Sequence, residues 1–403
     1  MSQLPTELVA LIIDHIPSSD KTTLLACSLA ALAFRNPAQR RFNETLKVAA
    51  GLGARPVQGS GWRVTFTQAA GHLDKYPHLA QYVRTLNVKF TKEATCSMAS
   101  IRNVLQRMRH VETVVLSNDW WEQAAWYNMP IVLVGPILGW LSAPPSTGTG
   151  TLGRLEIWNF QGLETGGMRC FLHAAPSLCF TNCGIRPANY VGISSAGGKS
   201  KLRELEMRRA PQVAALLGQS HLAHVAGNIG TLTLEGQFED TKDVFPLCLA
   251  TMPSLETLRV DGYSAWSNAG IVLPAGGPLV FTRLRHLQLV FTRSDMDNAN
   301  GAVRWFTSGM FFRFSAPALE EVVFRATGLP ADGHCVYAPL MDALAAFLRD
   351  HGNVRSVEWC IEFAYTAASW EQRRAAAQAF ADDVRKWFPR EDQEGLLVFR
   401  MPN

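Results

Sequence analysis

The sequence predicts an α/β chain in which a short helical unit precedes a repeating array of strands and helices. Three observations carry this reading. The first 46 residues have the apolar spacing and end signals of helices. A six-residue pattern, apolar at its first, fourth and sixth positions, then returns ten times. Segments with helical periodicity lie between several of its copies.

The helical unit comes first. In "LPTELVALIIDHI" Pro5 suits the first helical position, where its missing N–H costs nothing, and Glu7 complements the dipole of the first turn. Pro17 ends that helix by pushing its predecessor out of the α region. Ser18, Ser19 and Asp20 offer capping oxygens to a second helix from about Lys21. That helix carries Leu24, Leu25 and Cys27 and runs into a third over "SLAALAF"; Pro37 opens a further helical stretch, "PAQRRFNETLKV". In the first helix Leu8, Ile12 and Ile16 form one stripe, and Val9 and Ile13 form its neighbour. A unit of about forty residues keeps too much surface in water to enclose both stripes. Either the rest of the chain or a partner covers the surplus.

A Gly- and Pro-rich stretch, Gly51 to Gly61, separates this unit from the repeats. The copies are "VRTLNV" from Val83, "VETVVL" from Val111, "LGRLEI" from Leu152, "APSLCF" from Ala175 and "LRELEM" from Leu202. They continue as "IGTLTL" from Ile229, "LETLRV" from Leu255, "LRHLQL" from Leu284, "LEEVVF" from Leu319 and "VRSVEW" from Val354. Chance yields roughly two copies with polar fill in a chain this apolar, and seven of these ten meet that test. The pattern resembles a leucine-rich repeat, which implies an irregular solenoid with a curved parallel sheet inside and helices outside. Outer helices are predicted at "MASIRNVLQRM", "DTKDVFPLCLAT" and "PLMDALAAFLRD". The asparagine that normally follows each strand is read as absent, and insertions are expected at Trp120–Gly150 and Met296–Pro317. A closing helix begins at "SWEQRRAAAQAF", where Ser369 and Gln372 form a capping box and Ala376, Phe380, Val384 and Trp387 share the apolar side. The predicted organisation is 1–46 helical unit, 47–82 linker and leading helix, 83–368 repeat array and 369–403 closing helix and tail.

Composition narrows the function classes. Apolar residues make up 47% and charged residues 18% of 403 positions, so a large core is available. Net charge is +4 and no Lys/Arg run exceeds two residues, so nucleic acid is not an expected partner. Eight scattered cysteines without a CxxC read as reduced thiols, and no secretory leader is visible; a cytoplasmic or nuclear protein is expected. "MPIVLVGPILGWL" is too short to span a bilayer, so no membrane association is expected.

Leu4, Pro5, Glu7 and Leu8, then Ile12, Ile13, Asp14 and His15, then Leu24, Cys27, Ser28 and Leu29 resemble an F-box of the branch abundant in fungi. "YPHLAQYVRTLNV" (Tyr76–Val88) is similar to the segment that opens the repeat domain in that branch. The departure is Ala30–Ala33, where the family more often has Val and a Cys or basic residue; Phe34 keeps the aromatic. The resemblance implies a substrate receptor of an SCF-type cullin–RING ubiquitin ligase. Its helices would dock on the Skp adaptor, and through it on cullin, while the repeats hold a protein substrate. Carried over position by position, the adaptor contacts are Leu4, Pro5, Leu8, Ile12, Leu24 and Leu29. The alternative is a leucine-rich-repeat scaffold acting outside a ubiquitin ligase.

Residues alternating with the apolar strand positions face outward. Among them Trp158, Glu206, Arg208, Glu235, Arg259, Asp261 and Gln288 are the predicted substrate contacts; Asn87, Glu156, Thr233, Arg325 and Glu358 also face outward. Their charges alternate in sign, so no single ligand charge is implied. Catalytic patterns fall away on inspection. "GTGTLG" (Gly148–Gly153) is followed by a strand rather than a helix, and "GISSAG" lacks the second glycine of a nucleophile elbow. His221 and His224 have no Cys or carboxylate beside them for a metal. Carboxylate pairs occur only as the doublets Glu320–Glu321 and Asp382–Asp383. No cofactor and no enzymatic activity are expected; a site assembled across Trp120–Gly150 is the enzymatic alternative.

Overall fold

Proline and capping chemistry set the first two helices. The computed structural model describes residues 4–49, 64–90, 96–118, 125–143, 152–186, 200–235, 241–262, 279–292, 314–329, 338–363 and 369–400. Helix α1 (Thr6–Asp14) starts behind Pro5, and α2 (Lys21–Ala30) is capped by Asp20, whose carboxylate accepts from the Thr23 N–H. That bond holds the Asp20 carboxyl below its usual range. The two helices expected over "SLAALAF" and from Pro37 are one: Ala31 breaks the chain at φ −156°, and α3 (Leu32–Asn43) runs through Pro37. Proline there removes only the N–H that would have bonded the Ala33 carbonyl.

Ile13, Leu24 and Ala38, one from each helix, form the enclosed core of this bundle, with Ile16, Cys27, Phe34 and Phe42 packed around it. Polar ties run from α3 to the other two helices. Arg40 donates to both Asp14 oxygens at 3.0 Å, Arg41 donates to the Ile16 carbonyl, and the Lys21 ammonium donates to the Phe42 carbonyl. Burial, followed by repulsion from Lys47, pushes the Lys21 ammonium below its ordinary pKa.

Two units divide the chain, residues 1–201 and 202–403. After the helices, the first unit contains β1 (Thr45–Ala49), β2 (Val64–Thr65), α4 (Phe66–Lys75), a 3₁₀ turn (Pro77–Tyr82), β3 (Thr85–Phe90), α5 (Met98–Arg107) and β4 (Thr113–Asn118). It ends with α6 (Ile131–Leu141), β5 (Arg154–Trp158), α7 (Thr165–Ala174) and β6 (Ser177–Thr181). These strands form a parallel sheet in the order β2-β1-β3-β4-β5-β6, and helices α4 to α7 pack each on the next.

The second unit opens with β7 (Glu204–Arg208), α8 (Pro211–Leu217), α9 (Ala223–Ala226), β8 (Thr231–Glu235), α10 (Thr241–Thr251) and β9 (Thr257–Gly262). It continues with β10 (Leu279–Val280), β11 (His286–Thr292), β12 (Phe314–Ser315), β13 (Glu321–Leu329) and α11 (Ala338–Asp350). Last come β14 (Ser356–Phe363), α12 (Trp370–Trp387), α13 (Pro389–Gln393) and β15 (Leu397–Arg400). Its sheet is parallel in the order β7-β8-β9-β11-β13-β14-β15, and β10 pairs separately with β12. The outer helices predicted before Val111, Leu255 and Val354 are α5, α10 and α11. Ser369 and Gln372 close the expected capping box on α12, which buries Ala376, Phe380 and Val384 and leaves Trp387 half-buried.

Each of the ten motif copies becomes a strand beginning two residues into the motif. All its apolar positions are buried except Val354, which is half-buried. In-register pairing stacks them: Leu86 opposes Val114, Val114 opposes Leu155, and Leu155 opposes Leu178. In seven of the ten copies the second motif residue has the same backbone role. The carbonyls of Arg84, Glu112, Arg203, Gly230, Glu256, Arg285 and Glu320 each accept two successive N–H groups from the following repeat. The Glu44 carbonyl does the same for Arg84 and Thr85, which makes β1 a further member of the series. Such fixed pairing satisfies backbone groups that burial would otherwise orphan.

Three successive repeats carry an asparagine at the eighth motif position, one short of the ninth where the repeat pattern has it: Asn118 at the end of β4, and Asn159 and Asn182 just after β5 and β6. Asn118, Asn159 and Asn182 each stand one residue beyond the last outward strand position of their repeats. The Asn182 side-chain amide donates to Asn159 Oδ1 at 3.1 Å, and the Asn159 amide donates to the Asn118 carbonyl at 3.3 Å. Asn159 and Asn182 take φ of +62° and +52°, a left-handed conformation that asparagine tolerates better than most residues. Below this ladder Trp126 packs edge-on to Phe160 and Phe171.

Residues 47–82, read as linker and leading helix, hold the rest of β1, then β2, α4 and the 3₁₀ turn among their described positions. Most of Met296–Pro317, "GISSAG" and most of "GTGTLG" lie outside the described residues. "MPIVLVGPILGWL" supplies α6, which buries Leu133, Val134, Ile137 and Trp140. No helix among the described residues is long and apolar enough to cross a membrane.

Candidate protein-docking surfaces

The amino-terminal bundle spends its apolar residues unevenly. Val9 and Ile13 are buried, Ile13 in the bundle core, whereas Leu8, Leu11 and Ile12 on α1 and Leu4 just ahead of it stay exposed. Leu25 and Leu29 on α2 and Leu32 at the start of α3 are exposed as well. These seven aliphatic side chains leave between 46% and 78% of their surface in water. Isolated exposed leucines are ordinary; so many on one bundle of three short helices make it a candidate docking surface.

Five of the six residues predicted to meet an adaptor, Leu4, Pro5, Leu8, Ile12 and Leu29, are exposed. Leu24 corrects the expectation: it is enclosed against Ile13 and Ala38 and cannot meet a partner while the bundle is folded. Ile16 also leaves its expected stripe. Helix α1 ends at Asp14, so helical spacing no longer governs Ile16, which packs half-buried on the core. Leu11, Leu25 and Leu32 were missing from the predicted set. Leu11 was legible, three residues after Leu8 on the same helical face. Leu25 was obscured by its adjacency to Leu24, and Leu32 by the misplaced break between α2 and α3.

The second surface is the outward face of the strands. In the first unit Trp158 ends β5 with 38% of its surface exposed, and Arg154 pairs with Glu156 at 2.6 Å. In the second unit three predicted contacts neutralise one another: Arg208 reaches Glu206 at 2.5 Å and Glu235 at 3.0 Å. Glu358, buried on β14, takes Arg400 at 3.2 Å and also accepts the Cys360 thiol at 3.1 Å. Burial, then these contacts with Glu358, pushes the Cys360 thiol up to about 11. Arg259 and Gln288 sit half-buried and level with each other on adjacent strands β9 and β11, with Asp261 two residues beyond Arg259. The Arg259 Nε is buried without a hydrogen-bond partner.

His221 and His224, the pair weighed for metal, are exposed on a 3₁₀ turn and on α9. Among the described residues no group of three His, Cys, Asp or Glu side chains could hold a metal ion. No protein-family model matches this chain, and no curated protein matches it.

Proposed function

We propose that this chain is a non-catalytic substrate receptor of an SCF-type cullin–RING ubiquitin ligase. In this reading α1 to α3 form an F-box that docks on the Skp adaptor, and the repeats, of leucine-rich type, hold the protein to be ubiquitylated. The single observation that carries the reading is the row of exposed aliphatic residues on a bundle whose own core is already filled by Ile13, Leu24 and Ala38. Covering one such side chain contributes about 1.5–3 kcal/mol, so a partner helix lying across several of them gains enough to bind stably. Leu32 falls inside the stretch that departs from the family pattern and returns an aliphatic side chain to it.

The test is co-purification of tagged full-length protein from cells, scored for adaptor and cullin. Wild type is expected to bring down both, and Ile12→Asp neither, with the repeat units still folded by circular dichroism. Equal recovery with the two proteins rejects the reading.

A further inference from the structure

Helix α6 of the first unit departs from what an outer helix needs. Its eleven residues, "IVLVGPILGWL", include no charged side chain, hydroxyl or amide. Its one polar side-chain atom, the Trp140 indole nitrogen, is buried. A helix apolar on every face is normally enclosed, yet α6 packs between α5 and α7 with one face left open. On that face Ile131 keeps 75% of its surface in water, Gly135 and Gly139 are exposed, and Val132 and Leu138 are half-buried. Residues 131, 135 and 139 stand one turn apart and so share a stripe. A Cβ at Gly135 or Gly139 would meet nothing within 4 Å, so the stripe is an open trough floored by backbone.

Charge flanks the trough with a single sign. Helices α5, α6 and α7 contain no aspartate or glutamate. Arg102 on α5 and Arg169 on α7 are exposed. Arg169 adjoins Cys170, whose thiol donates to the Leu138 carbonyl of α6 at 3.4 Å. Packed helices lie about 8–10 Å apart, so a cation stands on either side of the apolar stripe. The remaining arginine of α5, Arg107, is tied to Asp74 at 2.6 Å. A trough between small residues admits a second helix at close range, whereas a bilayer surface is met by protruding apolar side chains. A second copy of the chain would set arginine against arginine.

We propose that the open face of α6 receives an amphipathic helix of a partner protein, apolar along its centre and acidic along both flanks. This goes beyond the substrate-receptor reading, since it uses neither the surface of α1 to α3 nor the strand face.

The experiment is fluorescence anisotropy on the full chain with two labelled helical peptides of about eighteen residues. Both carry the same Leu/Ala stripe; one is flanked by glutamates and the other by lysines. The glutamate peptide is expected to bind and the lysine peptide not. Gly135→Glu fills the trough from an open position and should weaken the glutamate peptide at least about tenfold, with an unchanged thermal melt. Ile131→Ser, at a position already in water, should weaken it as well. Arg102→Glu combined with Arg169→Glu should exchange the preference, so that the lysine peptide binds instead. Arg349→Glu, exposed on α11 of the second unit, should leave affinity unchanged. Ile12→Asp should do the same, which separates this face from adaptor docking. The proposal is overturned if the glutamate peptide does not bind, if both peptides bind equally, or if Gly135→Glu binds like wild type. It is also overturned if light scattering shows a dimer that Gly135→Glu dissolves, or if phosphatidylserine vesicles sediment wild type and not that variant.

Discussion

Leu24 and Leu25 are neighbours in the chain with opposite surroundings: Leu24 is enclosed at 0% exposure, and Leu25 keeps 53% of its surface in water. Their substitutions should therefore part company. Leu24→Ala empties the bundle core and is expected to cost about 2–5 kcal/mol, enough to unfold α1 to α3. Leu25→Ser should change stability by no more than about 0.5 kcal/mol. Thermal melts of the two variants check this directly.

The bond from the Asn182 amide to Asn159 Oδ1 couples β6 to β5 at positions where the backbone is left-handed. Alanine at 182 loses the bond and keeps a Cβ in that conformation without asparagine's tolerance for it, a loss of about 1–2 kcal/mol. Glycine loses the bond too but has no Cβ to strain at positive φ. Asn182→Gly should accordingly denature at a higher urea concentration than Asn182→Ala.

Close approach decides a third case. A Cβ on Gly218, at the end of α8, would sit 2.6 Å from the Leu247 backbone nitrogen and 2.6 Å from Pro246 Cβ in α10. Because the obstacle includes backbone, Gly218→Ala should force the two helices apart and cost about 1–3 kcal/mol. Hydrogen exchange should rise in α8 and α10 and remain unchanged in α12.

Burial pushes the Cys183 and Cys248 thiols from 9.0 to about 12. An unfolded chain sheds those protons near pH 9, while the folded chain holds them until about pH 12. Their contribution to stability is thus complete below pH 9 and is lost as pH rises towards 12. Denaturation midpoints should fall across that window, and replacing both cysteines with Ala should flatten the fall. At neutral pH neither thiol should react with an alkylating reagent until the protein unfolds.

The strand array was legible because a buried parallel strand demands apolar residues at fixed spacing, and the motif preserves that spacing in all ten copies. Strands β1 and β15 were hidden for a physical reason. β1 carries Leu46 and Val48, and β15 carries Leu397 and Phe399, at the motif's last two apolar positions. Their first positions are the polar Asn43 and Glu394. Helix existence was readable from caps and prolines, but the α2–α3 break was not, since Ala31 carries no breaking signal of its own. On the docking surface, spacing found Leu8 and Ile12; it could not tell Leu24 from Leu25, whose inside and outside are assigned by α3. The asparagine ladder needed the strand ends to be located before Asn118, Asn159 and Asn182 fell into one row.

Calorimetric titration of purified Skp adaptor into the full chain, beside the same titration with Ile12→Asp, tests the docking account most directly. Saturable binding by wild type that weakens at least about tenfold in the variant is the predicted result. Absence of binding by wild type, or equal affinities for the two proteins, would contradict it.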